Sequence, residues 1–283
     1  MDYKSYESLI RRQVNTLARF STPEEESWRK LKDLIICITD CIRIVTGQMK
    51  PPIVLDGAKK LRHIKKEIYF TSIKGPDALL SPTDNGFILR LQKDQHVFRH
   101  RFSVAHEIGH TFFYDIYKNP PVRLISTTSS SRLWNKEEGI CSAFAGELLL
   151  PRELLKGELE HINNKDKLHF LSALAQKYQV SIEVLVWHLF RDMFELQNCV
   201  AIFKLSQKES DQHKIRRYYG EQLKKYTRIK ENTVIKKVLE ILKGDPPYDK
   251  LGDVSALYSD IVEIWSREST SGLQVVTLLS FKR

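Results

Sequence analysis

Two histidines and a glutamate lie inside an apolar run at residues 102–113, FSVAHEIGHTFF. Polar groups in such a setting lose free energy on leaving water unless they are paired or bound to a metal. His106 and His110 are four residues apart, so on a helix their imidazoles lie on one face and can share a cation. Glu107 lies about 100° further around that helix, where it can hydrogen-bond a water on the cation without being a ligand. This H-E-x-x-H spacing predicts a metal site.

A third ligand is needed, because a catalytic zinc takes three protein ligands and keeps one position open for water. A histidine six residues after His110 would complete one known spacing, but Ile116 stands there, and Phe113 replaces the glycine of that spacing. A ligand from a second helix is therefore expected. Residues 137–151, EEGICSAFAGELLLP, offer Glu138, with Glu137 on a neighbouring face as the alternative. The same segment has small residues that allow close approach to the first helix: Gly139, Ser142, Ala143, Ala145 and Gly146.

The two segments together resemble the ImmA/IrrE family of zinc metallopeptidases. Its members carry R-x-x-F-x-x-A-H-E-x-G-H and then E-x-x-A/C-N-x-F-A-x-x-L-L-x-P. The resemblance covers about residues 50–190, and Ser142 stands where the family often has Asn or Asp. The matching positions are Arg99, Phe102, Ala105 to His110, Glu138, Cys141, Phe144, Ala145, Leu148, Leu149 and Pro151.

The resemblance implies a zincin-like peptidase with zinc ligands His106, His110 and Glu138 and with Glu107 as general base. It also implies a protein substrate, typically a helix-turn-helix transcriptional repressor whose cleavage relieves repression of stress or mobile-element genes. Zincin-like enzymes usually bind an extended substrate along a sheet edge, and GFILRL (86–91) is either that edge or a core strand. The residues that could donate to the oxyanion are Tyr114, Tyr117, Arg123, His161 and His169.

The pattern along the chain predicts an α+β fold. Helices are expected over 3–20, over 24–46 and through 98–194, with short strands IVLD, EIYFTS, ALLS and GFILRL between residues 53 and 91. These elements form the predicted zincin-like domain, residues 1–195: N-terminal helices (1–50), a small sheet (51–97), then catalytic and packing helices (98–195). A small, basic α+β domain at 196–283 follows, with helices at 221–243 and 254–268 and a closing strand LQVVTLLSF. This second domain is interpreted as regulatory or substrate-recruiting.

The net charge of +10 lies in the flanks of the chain, with 42% apolar residues overall. Residues 213–230 carry seven Lys or Arg against one Glu, interleaved with three tyrosines. That composition suits contact with nucleic acid, and it also suits a solvated helix face. A non-catalytic module that binds DNA or a protein partner through its basic flanks is thus the alternative function. Without an apolar stretch of membrane-spanning length or a signal-peptide core, a cytoplasmic location and no membrane partner are expected. The sequence leaves the oligomeric state open.

Overall fold

A computed structural model describes residues 1–20, 23–71, 76–125, 131–160, 167–189, 200–202, 217–219, 261–268 and 275–281. The chain divides into two compact units. One comprises Met1–Glu160 with Leu174–Ser181, and the other comprises His161–Ala173 with Ile182–Arg283. The domain boundary expected at 195/196 stays a prediction.

Two amphipathic helices begin the chain, as predicted. Helix α1 spans Tyr3–Ala18, and the Asp2 carboxylate caps it by accepting a 2.8 Å hydrogen bond from the Ser5 amide. Helix α2 spans Glu25–Thr46 and ends at Gly47, whose φ of 69° is the left-handed conformation that glycine adopts without strain. Each helix buries one apolar stripe, as expected for elements that face a shared core. The buried residues include Ile10, Val14, Leu17, Leu31, Ile35, Ile38 and Ile42.

A short helix and three strands follow. Helix α3 is Asp56–Leu61, and strands β1 (Ile64–Phe70), β2 (Ala78–Thr83) and β3 (Gly86–Gln92) form a mixed sheet in the order β1-β3-β2. Strand β1 is parallel to β3, and β2 is antiparallel to β3. The strand predicted at IVLD is wrong, because the Leu55 carbonyl already accepts from the Lys59 amide and begins α3.

The central strand of this sheet is β3. Its core-facing side chains Phe87, Leu89 and Leu91 are fully buried, and both of its edges are paired. GFILRL is therefore the core strand, and its interpretation as the substrate-binding edge is wrong. The edges are β1 and β2, and Pro82 in β2 is typical of an edge strand because proline has no N–H to donate.

Helices α4 (Val97–His110) and α5 (Ser131–Leu149) carry the two sequence motifs. Between them lie a 3-10 turn (Thr111–Phe113) and a two-residue ribbon of β4 (Tyr114–Asp115) with antiparallel β5 (Val122–Arg123). Helix α6 (Arg152–Leu159) follows directly after Pro151. The α+β class with helices beside a small mixed sheet is thus confirmed for this part of the chain.

The remaining described elements are α7 (Lys167–Tyr178), α8 (Ile182–His188) and four strands. Strand β6 (Val200–Ile202) pairs with β7 (Arg217–Tyr219), and β8 (Ile261–Glu268) pairs antiparallel with β9 (Val275–Phe281). The helix predicted at 254–268 is wrong over 261–268, where the β-branched residues in IVEIWSRE suit a strand paired with β9. The helix predicted at 221–243 lies outside the described residues. Within the described part of the chain, no helix is long and apolar enough to cross a membrane.

Candidate metal centre

Three side chains from two helices converge at one point. The Nε2 atoms of His106 and His110, one turn apart on α4, are 3.1 Å from each other. The Glu138 carboxylate, from the second turn of α5, lies 3.1 Å from His106 Nε2 through Oε2 and 3.2 Å from His110 Nε2 through Oε1. The structure thus brings together the three residues expected from the sequence to be ligands.

The donor set and its spacing fit a zinc ion. Two imidazole nitrogens and one carboxylate are a common ligand set for catalytic zinc. Ligand bonds of 2.0–2.1 Å in a tetrahedron place neighbouring donors about 3.3 Å apart, close to the 3.1 and 3.2 Å found here. One carboxylate and two imidazoles would also leave the fourth tetrahedral position open.

The close approach of α4 and α5 depends on a glycine of the first motif. A Cβ placed on Gly109 would lie 3.1 Å from the Cys141 Cα and 3.3 Å from a ring carbon of Phe144. Those distances leave little room for any side chain at position 109. Because the helices meet there, the short Glu138 side chain can reach both histidines. Gly109 on α4 therefore complements the small residues of α5 that were predicted to allow close approach.

Glu107 lies beside the convergence point, and its ligating oxygen is within 4.8 Å of the corresponding His106 and His110 nitrogens. The residue is only 8% exposed. Burial raises the pKa of its carboxyl group, although the two histidines and a hydrogen bond from the Leu80 backbone amide act in the opposite direction. Glu138 makes the shorter contacts to both Nε2 atoms, so Glu107 is placed beside the set of ligands.

The Leu80 backbone amide, which favours the ionised form of Glu107, marks the side of β2 that faces away from β3. Backbone groups of successive residues in a strand point to opposite edges, so those of residues i and i+2 share an edge. Since the Leu80 N–H faces Glu107, the Leu80 and Pro82 carbonyls face the same outer edge, away from β3. The missing N–H of Pro82 falls on this side too, where no ladder bond is lost.

Arg99 and Gln95 hold the start of β2 against α4, with Arg99 Nε 2.6 Å from Asp77 Oδ2 and Gln95 Nε2 2.8 Å from the Asp77 carbonyl.

The outer nitrogens of the two imidazoles have different partners. His110 Nδ1 is 2.7 Å from Glu137 Oε1, and Arg123 Nη2 donates to Glu137 Oε2 at 2.5 Å. His106 Nδ1 is 3.3 Å from Ser142 Oγ. Glu137, the alternative ligand in the sequence analysis, thus binds the ring nitrogen opposite the convergence point. It cannot share a cation with His110 Nε2.

The charges at the centre perturb one another strongly. Burial raises the pKa of Glu138, but His106 and His110 outweigh it and lower that pKa to about 2. Burial lowers the pKa of His110, yet Cys141, Glu137 and Glu138 together raise it well above 6.5. Cys141 is fully buried, which raises the pKa of its thiol to about 11. A cation requires this ionised carboxylate, and it also requires neutral imidazoles, so metal binding displaces the proton that the surrounding acidic groups favour on His110.

Two of the residues expected to donate to the oxyanion, Tyr117 and Arg123, bond other groups in the structure. The Tyr117 hydroxyl donates to Glu7 Oε2 at 2.6 Å, and the three side-chain nitrogens of Arg123 bond the Ile125 carbonyl, the Tyr114 hydroxyl and Glu137. Both side chains are therefore engaged elsewhere. The side chains of His161 and His169 lie outside the described residues.

Trp134 is a site residue that the sequence reasoning missed. Its ring is stacked on His110 with centroids 5.9 Å apart, and the residue is 45% exposed. The available signal was its position four residues before Glu138, which places both side chains on the same stripe of α5.

The segment that carries the convergent side chains is similar to a known peptidase domain. Residues 64–189 match the peptidase family model described as the IrrE N-terminal-like domain. The resemblance to the ImmA/IrrE family that the sequence motifs indicate is thus confirmed for these residues. The matched range contains all three strands of the mixed sheet, both motif helices and the His106-Glu107-His110 cluster. Family and cluster together indicate a metallopeptidase.

No curated protein matches this chain. A Mycobacterium tuberculosis transcriptional regulator of known structure aligns over 98% of this chain and 81% of its own, with 13% identity and a TM-score of 0.41. A likeness at that TM-score carries no argument about fold or function.

Proposed function

We propose that this chain is a zinc-dependent endopeptidase that hydrolyses a peptide bond in a protein substrate. The observation that carries the proposal is the convergence of His106, His110 and Glu138 within 3.2 Å, with Glu107 beside them. In this proposal the first three are the zinc ligands. Zinc, when bound there, supplies a Lewis acid that lowers the pKa of water and polarises the scissile carbonyl.

Glu107 is the general base in this proposal. It takes the proton of the attacking water and later delivers it to the leaving amine. A proton acceptor and donor works best when its pKa lies near the working pH, and burial moves the pKa of Glu107 upward in that direction. The Leu80 amide, on the side of the sheet, favours the ionised form of this carboxylate.

The substrate backbone is proposed to pair with the outer edge of β2. This edge carries the Leu80 and Pro82 carbonyls, and the Leu80 amide acts on Glu107, so an added strand would place a peptide bond near Glu107. Main-chain pairing requires the substrate to be extended. A linker or unfolded segment of a protein is therefore the preferred cleavage point over a rigid helix.

The proposed substrate is a helix-turn-helix transcriptional repressor. Support comes from the match of residues 64–189 to the IrrE N-terminal-like domain and from the resemblance of the sequence to ImmA/IrrE peptidases, which typically cleave such repressors. Cleavage would relieve repression in a stress or mobile-element response. Residues 196–283 would regulate the peptidase or recruit the repressor.

The test compares cleavage by wild-type protein and Glu107→Gln in extracts of cells that make the protein. Newly formed N-termini are labelled and identified by mass spectrometry. We expect wild-type protein to produce new N-termini within a DNA-binding repressor and the variant, at equal zinc content, to produce none. Glu153→Gln, a change on a side chain that is 82% exposed on α6, is the matched control and should cleave like wild type.

Equal cleavage by Glu107→Gln would exclude this site as the source of activity. No cleavage by zinc-loaded wild-type protein would instead favour the non-catalytic alternative, binding of DNA or a protein partner through the basic flanks.

A further inference from the structure

Glu137 is a buried carboxylate next to a proposed ligand, yet it faces away from the convergence point. Its side chain is 0% exposed. An ionised carboxylate removed from water is unfavourable unless it is paired and hydrogen-bonded. Both of its oxygens are occupied: Oε1 lies 2.7 Å from His110 Nδ1, and Oε2 accepts from Arg123 at 2.5 Å. Glu137 is therefore held by two specific partners, His110 and Arg123.

Arg123 is itself fixed on three sides. Its Nε donates to the Ile125 carbonyl at 3.0 Å, its Nη1 lies 3.1 Å from the Tyr114 hydroxyl, and its guanidinium lies 5.2 Å from the centre of the Tyr114 ring. The ribbon of β4 and β5 supplies both residues. A chain of contacts thus runs from this ribbon through Arg123 and Glu137 to His110.

The contact with Glu137 determines which ring nitrogen of His110 carries a proton and which one offers a lone pair. An ionised carboxylate only accepts hydrogen bonds, so Nδ1 of His110 carries the proton that lies between the two groups. When the ring is neutral, as a metal ligand must be, Nε2 then presents its lone pair to the point where His106 and Glu138 converge. Carboxylates in this position fix the orientation of a ligating histidine and increase its basicity.

Among the residues that the structure describes, no carboxylate contacts the outer nitrogen of the other imidazole. His106 Nδ1 lies 3.3 Å from the Ser142 hydroxyl, which is beyond the usual range for a strong hydrogen bond. The two rings are therefore held unequally. We propose that Glu137, held by Arg123, is the positioning residue that fixes His110 for metal binding, and that it supplies most of the outer support of this centre. The inference rests on the proposed function, since it concerns the same metal site.

The test measures zinc affinity of the full chain by competition with a chromophoric chelator. Three variants are compared with wild type: Glu137→Gln, Glu137→Ala and Arg123→Met. We expect Glu137→Ala to weaken zinc binding about 10- to 100-fold. Glu137→Gln should lose less, because an amide oxygen still accepts from Nδ1–H although the negative charge is gone. Arg123→Met should also lose affinity with Glu137 intact.

Glu147→Gln is the matched control. Glu147 is another buried glutamate of α5, 5% exposed, and its carboxylate accepts from the Arg152 amide at 2.9 Å. It touches neither histidine in the described contacts, so its replacement should change stability and leave zinc affinity as in wild type. An equal loss in Glu147→Gln would overturn the inference, because the effect would then be general destabilisation.

A spectroscopic measurement distinguishes a role of Glu137 in positioning His110 from a purely structural role. In zinc-loaded protein with ¹⁵N-labelled histidine, we expect the His110 Nδ1–H proton to resonate at low field in wild type and to move in Glu137→Gln. An unmoved resonance, or affinity within twofold of wild type in Glu137→Ala, would overturn the inference and leave the proposed function intact. Should Glu137→Ala fail to fold, Glu137→Gln and Arg123→Met decide the question alone. Wild-type protein that binds no zinc would overturn both proposals.

Discussion

At the scale of single residues, the two imidazoles of the centre illustrate what spacing can and cannot predict. The separation of His106 and His110 predicts that both rings share a face, and the structure brings their Nε2 atoms to 3.1 Å. The partners of the outer nitrogens come from distant parts of the chain and from the choice of rotamer. The sequence motif favours Glu138 as the ligand and leaves Glu137 as the alternative, and in the structure their carboxylates face opposite nitrogens of His110.

Ser142 provides a prediction at this scale. Its hydroxyl lies 3.3 Å from His106 Nδ1, where the family often has the longer Asn or Asp. Because the contact is long, Ser142→Ala should weaken zinc binding by less than about tenfold, and by less than Glu137→Ala. The same chelator competition measures both variants. A loss in Ser142→Ala as large as that in Glu137→Ala would contradict the unequal support of the two rings.

At the scale of elements, the helices were predictable and the sheet was predictable only in part. Helices α1 and α2 have one apolar stripe and clear end signals, so their bounds are close to those expected. The sequence analysis leaves GFILRL open as an edge or a core strand, although two signals favour the core. Pro82 in β2 indicates an edge, and the nearly continuous apolar run of GFILRL indicates a central strand. Strand order depends on pairing between segments distant in sequence, which no local pattern determines.

Gly109 tests how strictly the site depends on the contact between α4 and α5. In Gly109→Ala the new Cβ would meet the Cys141 Cα at 3.1 Å, so α5 must shift and carry Glu138 with it. We expect weaker zinc binding and lower stability, by about 1–3 kcal/mol, measured by chelator competition and by urea unfolding.

The matched control for this change is Gly157→Ala in α6. A Cβ at Gly157 meets nothing within 4 Å, so alanine should be neutral or should stabilise the helix by about 0.5–1 kcal/mol. Zinc affinity should not change in the control. Equal behaviour of the two variants would show that helix contact at Gly109 does not determine the geometry of the site.

At the scale of the whole molecule, a buried arginine links the N-terminal helix to the end of the metal-binding helix. Arg62 has a 2% exposed side chain and pairs with Glu7 of α1. It also donates to the Thr111 hydroxyl at 2.8 Å and to the Thr111 carbonyl at 3.0 Å, and it lies 4.1 Å from the centre of the Phe112 ring. This arginine therefore satisfies the carbonyl at the end of α4 while it anchors α1.

Arg62→Met should lower the free energy of unfolding by about 3–5 kcal/mol, because it leaves the largely buried Glu7 carboxylate without its charged partner. Urea unfolding of zinc-free protein measures the loss. Arg29→Met is the control: its side chain is 70% exposed and its pair with Glu26 lies at the surface, so the change should be within about 1 kcal/mol. Similar losses in both variants would contradict a structural role for the buried network.

The basic segment 213–230 can be tested by the salt dependence of nucleic-acid binding. Of this segment the structure describes only Arg217–Tyr219, so both interpretations from the sequence stay open. A phosphate contact predicts that replacing Lys224 and Lys225 by Gln reduces the slope of log affinity against log salt by about 2. A solvated face predicts no change. The double replacement of Arg29 and Lys30 by Gln alters the net charge equally and serves as control.

The measurement that tests the central claim most directly is the zinc content of purified protein by elemental analysis. Wild type is compared with His106→Ala, Glu138→Ala and Glu107→Gln. The two-helix site predicts about one zinc per chain in wild type and in Glu107→Gln, and a marked reduction in both ligand variants. Wild-type protein without zinc, or ligand variants that keep the wild-type zinc content, would contradict it.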